Sequence, residues 1–177
     1  MAKKSKYTDW VDHEDRVTRR DRLARLRWLD RNFTSEGWAG LVGGTIAHML
    51  YEEAKYCYVY AQFLATVLLV LAFIEHSLGG EHYMAGDDVT PNMGVLKLLH
   101  EAAKSGWYSE AEIRQLNKIR KFRNLLTHWR KPFHRERLDM RALRASRNRY
   151  SIAASDAKLA LRAMFIVIDK SPLQSRP

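Results

Sequence analysis

Apolar residues recur at helical spacing along most of the chain, and no alternating run is long enough to build a sheet. Residues 12–33 are highly charged but carry Leu26, Leu29 and Phe33 at helical intervals, which predicts an amphipathic helix. The glycine-containing residues 34–44 lack the lysine of a phosphate-binding loop, so we interpret them as a linker. The pattern as a whole predicts an all-α protein.

The longest apolar stretch lies in the middle of the chain, where residues 45–78 are predicted to form one long helix. Within it, Tyr56–Ile74 is long enough to cross a bilayer and has only Gln62 and Thr66 as clearly polar residues. Charges at both ends and tyrosines at one end only argue against a span. Because a helix that is apolar all round is also typical of the centre of a bundle or dimer, we predict a buried central helix.

Residues 79–92 are rich in glycine and polar side chains and are predicted to form a loop. They gather Glu81, His82, Asp87 and Asp88, which are residue types that bind metal ions. Their spacing matches no metal-binding motif, so we predict a solvated loop without a metal or another cofactor.

Two helices with strong boundary signals follow. Thr90-Pro91 places a capping hydroxyl before a proline and predicts a helix that ends at Gly106. Ser109 and Glu112 form the pattern of a capping box and open the next helix, which ends before Pro132. The apolar stripe of this second helix comprises Ile113, Leu116, Ile119, Phe122 and Leu126.

The chain is strongly basic around and after this helix. Residues 118–149 contain twelve lysines and arginines but only two acids, a net charge of +10 that equals the net charge of the whole chain. Such a local excess is expected of a protein that binds a polyanion. The residues predicted to contact nucleic acid are Arg120, Lys121, Arg130, Lys131, Arg141, Arg144, Arg147 and Arg149.

Residues 130–154 have little apolar periodicity, and we predict a long basic loop there. Ser155 is then the expected N-cap of a final amphipathic helix. The chain divides into a charged N-terminal helix with its linker, 1–44, and a helical domain, 45–177. The single cysteine, Cys57, excludes an intramolecular disulfide, and the first residues lack the apolar core of a signal peptide, so we expect a cytoplasmic location.

The segment KFRNLLTHWRKP places Arg123 five residues before His128. Arginine can hold a phosphate through two parallel hydrogen bonds, and histidine exchanges protons near neutral pH. RNA supplies its own nucleophile, the 2′-hydroxyl, so the pair could cleave it without a metal. Residues five apart point about 140° from one another on a straight helix, whereas Asn124 and His128 share a face. The pair therefore needs a distorted last turn, the long arginine side chain or a second copy of the chain; both residues could instead cap helix carbonyls.

The sequence IRKFRNLLTH resembles the signature of the HEPN superfamily, in which an arginine, a following polar residue and a histidine form the motif. Residues 90–129 also resemble the helix pair that precedes this signature. The resemblance implies an all-helical bundle of about five helices that dimerises and brings two motifs into one cleft. It assigns Arg123 and His128 as the catalytic pair, Asn124 as the polar neighbour and Glu75 as an acidic residue beside the motif.

Many HEPN proteins are metal-independent ribonucleases of toxin–antitoxin or antiviral systems, and others bind without cutting. We therefore predict a homodimeric endoribonuclease that needs no cofactor, with RNA and an antitoxin or regulatory protein as partners. Two alternatives remain open. One is a noncatalytic nucleic-acid-binding or interaction module of the same fold, and the other is a membrane-associated helical protein, although we do not expect membrane contact.

Overall fold

A computed structural model of the chain describes residues 6–33, 43–87 and 93–170. The described part contains seven α-helices and no strand, which confirms the all-α prediction. The helices are α1 (Lys6–Asn32), α2 (Gly44–Val59), α3 (Phe63–Met84), α4 (Val95–Lys104), α5 (Glu110–Thr127), α6 (Leu138–Arg144) and α7 (Arg149–Lys170).

Helix α3 lies at the centre of the fold and packs against α2, α4, α5 and α7. Phe73, Ile74 and Leu78 are completely buried along its length. From α7, Leu161 and Met164 fill the same core. Burial of large apolar side chains is the main stabilising term in such a bundle, at roughly 1.5–3 kcal/mol for each. The prediction of a buried central helix over Tyr56–Ile74 is thus confirmed in part: α3 is central, but Leu64 and Leu68 are 47% and 37% exposed.

The predicted single helix over residues 45–78 is wrong, because the chain turns between α2 and α3 at Tyr60–Gln62. The amide of Gln62 donates to the carbonyl of Cys57, and that of Ala61 donates to Tyr58, which together form a Schellman motif. Ala61 takes the left-handed position of this motif, with φ of 61°. Glycine usually occupies that position, so the sequence gives no signal for the break.

The break also interrupts the span considered over Tyr56–Ile74. Among the described residues, the one helix that is long and apolar enough to cross a membrane is Phe63–Met84, and half of its most apolar window is buried inside the protein. Because the core helix of a soluble protein has the same properties, α3 gives the membrane alternative only weak support.

The predicted solvated loop at residues 79–92 is also wrong over its first part, where α3 continues to Met84. Glu81 and His82 are each 1% exposed. The hydroxyl of Tyr108 donates to Glu81 over 3.1 Å. Burial, followed by the charge of Glu81, raises the pKa of Tyr108. The hydrogen bond between Tyr108 and Glu81 offsets part of the cost of burying these polar groups.

The ring of His82 is held from both sides. Its Nδ1 lies 2.6 Å from a carboxylate oxygen of Asp87, and its Nε2 lies 3.2 Å from the carbonyl oxygen of Leu98. The ring also contacts the indole of Trp107, with 4.5 Å between centroids. Asp88 lies outside the described residues, and within them no group of three or more potential ligands could hold a metal ion.

The predicted boundaries of α4 and α5 agree with the structure to different extents. The predicted helix start at Thr90-Pro91 is wrong, because Met93 and Gly94 are not helical and α4 begins at Val95 with Gly94 as its N-cap in an extended conformation; Thr90 and Pro91 themselves lie outside the described residues. Gly106 follows the end of α4 with φ of 70°, as expected for a helix-terminating glycine. The capping box is confirmed: Glu112 accepts from the Ser109 amide over 2.7 Å, and the Ser109 hydroxyl accepts from the Glu112 amide over 3.3 Å.

The predicted long loop at residues 130–154 is wrong, because it contains α6 and the start of α7. Ser155 lies inside α7, where its hydroxyl donates to the Ser151 carbonyl, so it is not the N-cap. The side-chain oxygen of Asn148 instead accepts from the Tyr150 amide at the helix start. Residues 45–177 therefore contain six described helices rather than about five.

The N-terminal segment forms the predicted helix, but Leu26 of its predicted apolar face is 47% exposed. Trp28 and Leu29 in the second half of α1, and Phe33 directly after it, pack on the body of the protein. The first half leaves Trp10 and Val17 exposed. Helix α1 thus extends beyond the core that it helps to cover.

Candidate functional site

Helices α3, α4 and α5 pack against one another and line a cavity of about 680 Å³ that is open to solvent, here called the interhelical cavity. Each helix lines it with residues three or four positions apart, which is the spacing of neighbours on one helix face. These residues are Leu71 and Glu75 from α3, Leu96, Lys97 and His100 from α4, and Arg120, Arg123 and Asn124 from α5. The structure therefore brings together three of the four predicted catalytic residues: Glu75, Arg123 and Asn124.

The interhelical cavity has an excess of positive charge, because Lys97, Arg120 and Arg123 face one carboxylate, that of Glu75. Arg120 donates from Nε to the side chain of Asn117 over 2.7 Å, which fixes its direction. Within the described residues, the side chains of Arg123 and Glu75 form no hydrogen bond or ion pair, so both are available to a ligand. An anion with a proton to exchange suits this set of groups.

His128 lies elsewhere. It follows the last residue of α5 with extended backbone angles, φ −114° and ψ 130°. Its ring lines a second cavity of about 420 Å³, here called the His128 cavity. The predicted shared face of Asn124 and His128 does not bring them to one cavity: His128 is the C-cap of α5 and its amide donates to the Asn124 carbonyl, but the two residues line different cavities. One copy of the chain therefore places Arg123 and His128 on different cavities.

The predicted nucleic-acid-binding residues fall into two groups. Several are engaged with the protein itself. Arg141 forms two hydrogen bonds of 2.7 Å with Asp156, an ion pair that raises the pKa of Arg141. Arg147 donates to the Ser151 carbonyl and the Ser155 hydroxyl. Arg144 donates to the Arg135 carbonyl. These contacts explain how a strongly basic segment folds back onto α7.

The other cations are more accessible to a ligand. Lys121, Lys131 and Arg149 are exposed, and Arg149 also lines the His128 cavity. Arg130 lines the same cavity, and its buried Nε has no hydrogen-bond partner among the described residues.

Two features of the surface are absent from the sequence-based site. His100 and Lys97 face the interhelical cavity, and their spacing of three on the polar side of α4 was the available signal. Three aromatic side chains of residues 129–150 are also largely exposed: Trp129 by 78%, Phe133 by 81% and Tyr150 by 76%, and Trp129 lines the His128 cavity.

No family model matches the chain, and no curated protein or solved structure is significantly similar to it. The HEPN resemblance therefore stays a prediction that rests on the motif at residues 119–128 and on the helices before it.

Proposed function

We propose that the chain is a metal-independent endoribonuclease of the HEPN type that acts as a homodimer. The observation that carries this proposal is that Arg123, Asn124 and Glu75 line one cationic cavity. Arg123 and Asn124 lie on α5, the helix that ends directly before His128. In the proposed reaction, the 2′-oxygen attacks the adjacent phosphorus, and the bond to the 5′-oxygen breaks. Arg123 stabilises the charge that builds on the phosphate, and His128 transfers one of the two protons involved.

Dimerisation is proposed as the means by which Arg123 meets a histidine. Leu64 lines the His128 cavity, and Leu71 lines the interhelical cavity. Leu68 lies between them on α3, with 37% of its surface exposed, and Leu64 is 47% exposed. A two-fold contact through Leu64 and Leu68 would bury their exposed surface. It would also place the interhelical cavity of one copy beside the partner's His128. Both residues of the pair would then reach one phosphate.

The exposed aromatic residues support single-stranded RNA as the substrate. Unpaired bases stack on aromatic rings, whereas paired bases are not accessible to them. Trp129 lines the His128 cavity, and Tyr150 lines an adjoining hollow that shares Leu64 and Arg149 with it. Phe133 is exposed although its φ of 65° is unfavourable for a bulky residue, a strain often found at functional sites.

A mixed-dimer experiment tests the composite site. Arg123→Ala and His128→Ala are purified separately, each is expected to be inactive, and the two are then mixed under conditions that allow exchange of subunits. If each site combines residues of two copies, a mixed dimer regains one of its two sites, and a 1:1 mixture recovers about a quarter of the wild-type activity. No recovery, in mixtures shown to contain mixed dimers, contradicts a shared site. Leu68→Asp is the matching control, since it should weaken the dimer while both motif residues remain.

The separation of Arg123 and His128 in one chain favours a second candidate, a noncatalytic module that binds nucleic acid through its basic segment. Such a module requires no shared site, and it would bind RNA without cutting it. A role as a toxin or antiviral effector and an antitoxin partner follow from the HEPN resemblance alone, and a cytoplasmic location follows from the composition of the chain; all three remain predictions.

A further inference from the structure

The interhelical cavity contains a histidine that is not part of the motif. His100 lies on α4, one turn after Lys97 and Leu96, and all three line the cavity with Arg123 and Glu75. The opposite face of α4 anchors the helix in the core, where Leu98 and Leu99 are each 2% exposed. The imidazole of His100 is therefore carried by a fixed helix and points to the same space as the arginine of the motif.

Cleavage of RNA by its own 2′-hydroxyl needs two proton transfers. One group must take the proton of the 2′-hydroxyl, and another must give a proton to the departing 5′-oxygen. The motif supplies one histidine, and that histidine lines a different cavity from Arg123 in the same chain. Each site of the proposed dimer joins Arg123 of one copy to His128 of the other, so the second proton transfer falls to a further group beside Arg123, and Glu75 and His100 are the groups there that can exchange a proton.

We propose that His100 performs this second transfer, acting from the same chain as Arg123; the inference rests on the proposed ribonuclease function. As the 2′-oxygen bonds to phosphorus and the bond from phosphorus to the 5′-oxygen breaks, one histidine accepts the first proton and the other donates the second. The products are a 2′,3′-cyclic phosphate and a 5′-hydroxyl, and exchange with water restores both histidines. No metal or redox partner enters the balance.

The charges around His100 suit a phosphodiester. Two of the three helices that line the cavity, α4 and α5, contribute positive charge, and the third, α3, contributes a single carboxylate. The volume of about 680 Å³ is within the usual range of ligand sites. The charged groups that face His100 or lie beside it are Glu75 from α3, Lys97 and Glu101 from α4, and Arg120 and Arg123 from α5.

The first test is the pH dependence of single-turnover cleavage in EDTA. Two proton-transfer residues give the wild type a bell-shaped profile. His100→Ala should lower the maximal rate by about 10²–10⁴-fold and remove one limb of the bell, and His128→Ala should remove the other limb. Added imidazole should partly restore His100→Ala. The control is His76→Ala, since His76 is an exposed histidine on α3 next to Glu75 and lines neither cavity. A His100→Ala variant that keeps both limbs and a near-normal rate overturns the inference and leaves the ribonuclease proposal intact.

A second test does not depend on cleavage. Inorganic phosphate and a 2′-O-methyl dinucleotide, which has no nucleophile, are titrated while the histidine ring signals are followed by NMR. In the wild type, the His100 signal should shift when either probe is added, and the His76 signal should not. In Arg123→Ala, the His100 signal should not shift. A His100 signal that ignores both probes overturns the inference even if RNA is cleaved. Absence of cleavage by the wild type overturns the proposed function instead, and the catalytic role of His100 with it.

Discussion

Asp156→Asn is expected to destabilise the protein strongly, because Asp156 neutralises Arg141 in a largely buried ion pair. Both hydrogen bonds of the pair are 2.7 Å long, and the side chains are 25% and 12% exposed. The guanidinium group of Arg141 also lies over the ring of Phe122, with 5.1 Å between its Cζ atom and the ring centroid. Loss of the carboxylate would leave a positive charge on α6 without its partner on α7.

Two reference values bracket the expected loss. Breaking a fully buried pair costs about 3–5 kcal/mol, whereas an exposed pair contributes about 0.2–1 kcal/mol. The partial exposure of Arg141 places this pair between them, at about 2–3 kcal/mol. For a chain of this size, 1 kcal/mol changes Tm by about 2–4 °C, so we expect a fall of about 4–12 °C.

Thermal and urea unfolding followed by circular dichroism measure this loss. Asp139→Asn is the matched control, since the pair of Asp139 with Arg137 joins side chains that are 42% and 36% exposed. The control should lose much less stability, because an exposed ion pair is screened by solvent. An Asp156→Asn variant no less stable than the control would refute this reasoning. Arg141 would then be free to bind phosphate, as the sequence predicted.

Three further predictions concern stability and binding. Ala61→Gly should stabilise the protein by about 0.5–1 kcal/mol, because glycine removes the cost of the left-handed backbone at φ 61°; a destabilised variant in urea unfolding contradicts this. Ser109→Ala should cost about 1 kcal/mol at neutral pH. Hydrogen bonds from Ser109 lower the pKa of Glu112, so this part of the stability is present above the ordinary glutamate pKa and is lost as pH falls through the lowered value. Unfolding at pH 7 and pH 3 should show a difference between wild type and Ser109→Ala that shrinks in acid, and an unchanged difference speaks against it. Replacing Lys121, Lys131 and Arg149 with Gln should flatten the dependence of RNA binding on salt, measured by fluorescence anisotropy, because fewer counterions are released; the wild-type slope would show that these cations do not contact phosphate.

Local signals predicted the parts of the fold that depend on neighbouring residues. The capping box of Ser109 and Glu112 and the terminating glycine Gly106 act within a few residues, so sequence alone located both ends of the loop before α5. The turn at Ala61 escaped prediction because alanine occupies a position that glycine usually holds. Helix α6 escaped because its arginines suggested a solvated loop, while the partner of Arg141 lies fifteen residues away on α7.

The candidate site was predictable only in part. The chemistry of arginine and histidine suggested the pair of Arg123 and His128, and the HEPN resemblance assigned it as catalytic and added Asn124 and Glu75. The sequence could not show that α5 ends before His128 and so separates it from Arg123. Nor could it place His100 opposite Arg123, because that proximity depends on how α4 packs against α5.

Metal-independent cleavage at a site that contains Arg123 and His128 is the central claim, and one measurement tests it most directly. Purified protein is incubated in EDTA with a single-stranded RNA and with the same strand carrying one deoxyribonucleotide at the cleaved position. We expect the wild type to cut the RNA and to spare the deoxy position, which has no 2′-hydroxyl, and we expect both Arg123→Ala and His128→Ala to lose activity by at least about 100-fold while retaining their helicity. Cleavage that persists in both folded variants, or that occurs equally at the deoxy position, would contradict the account.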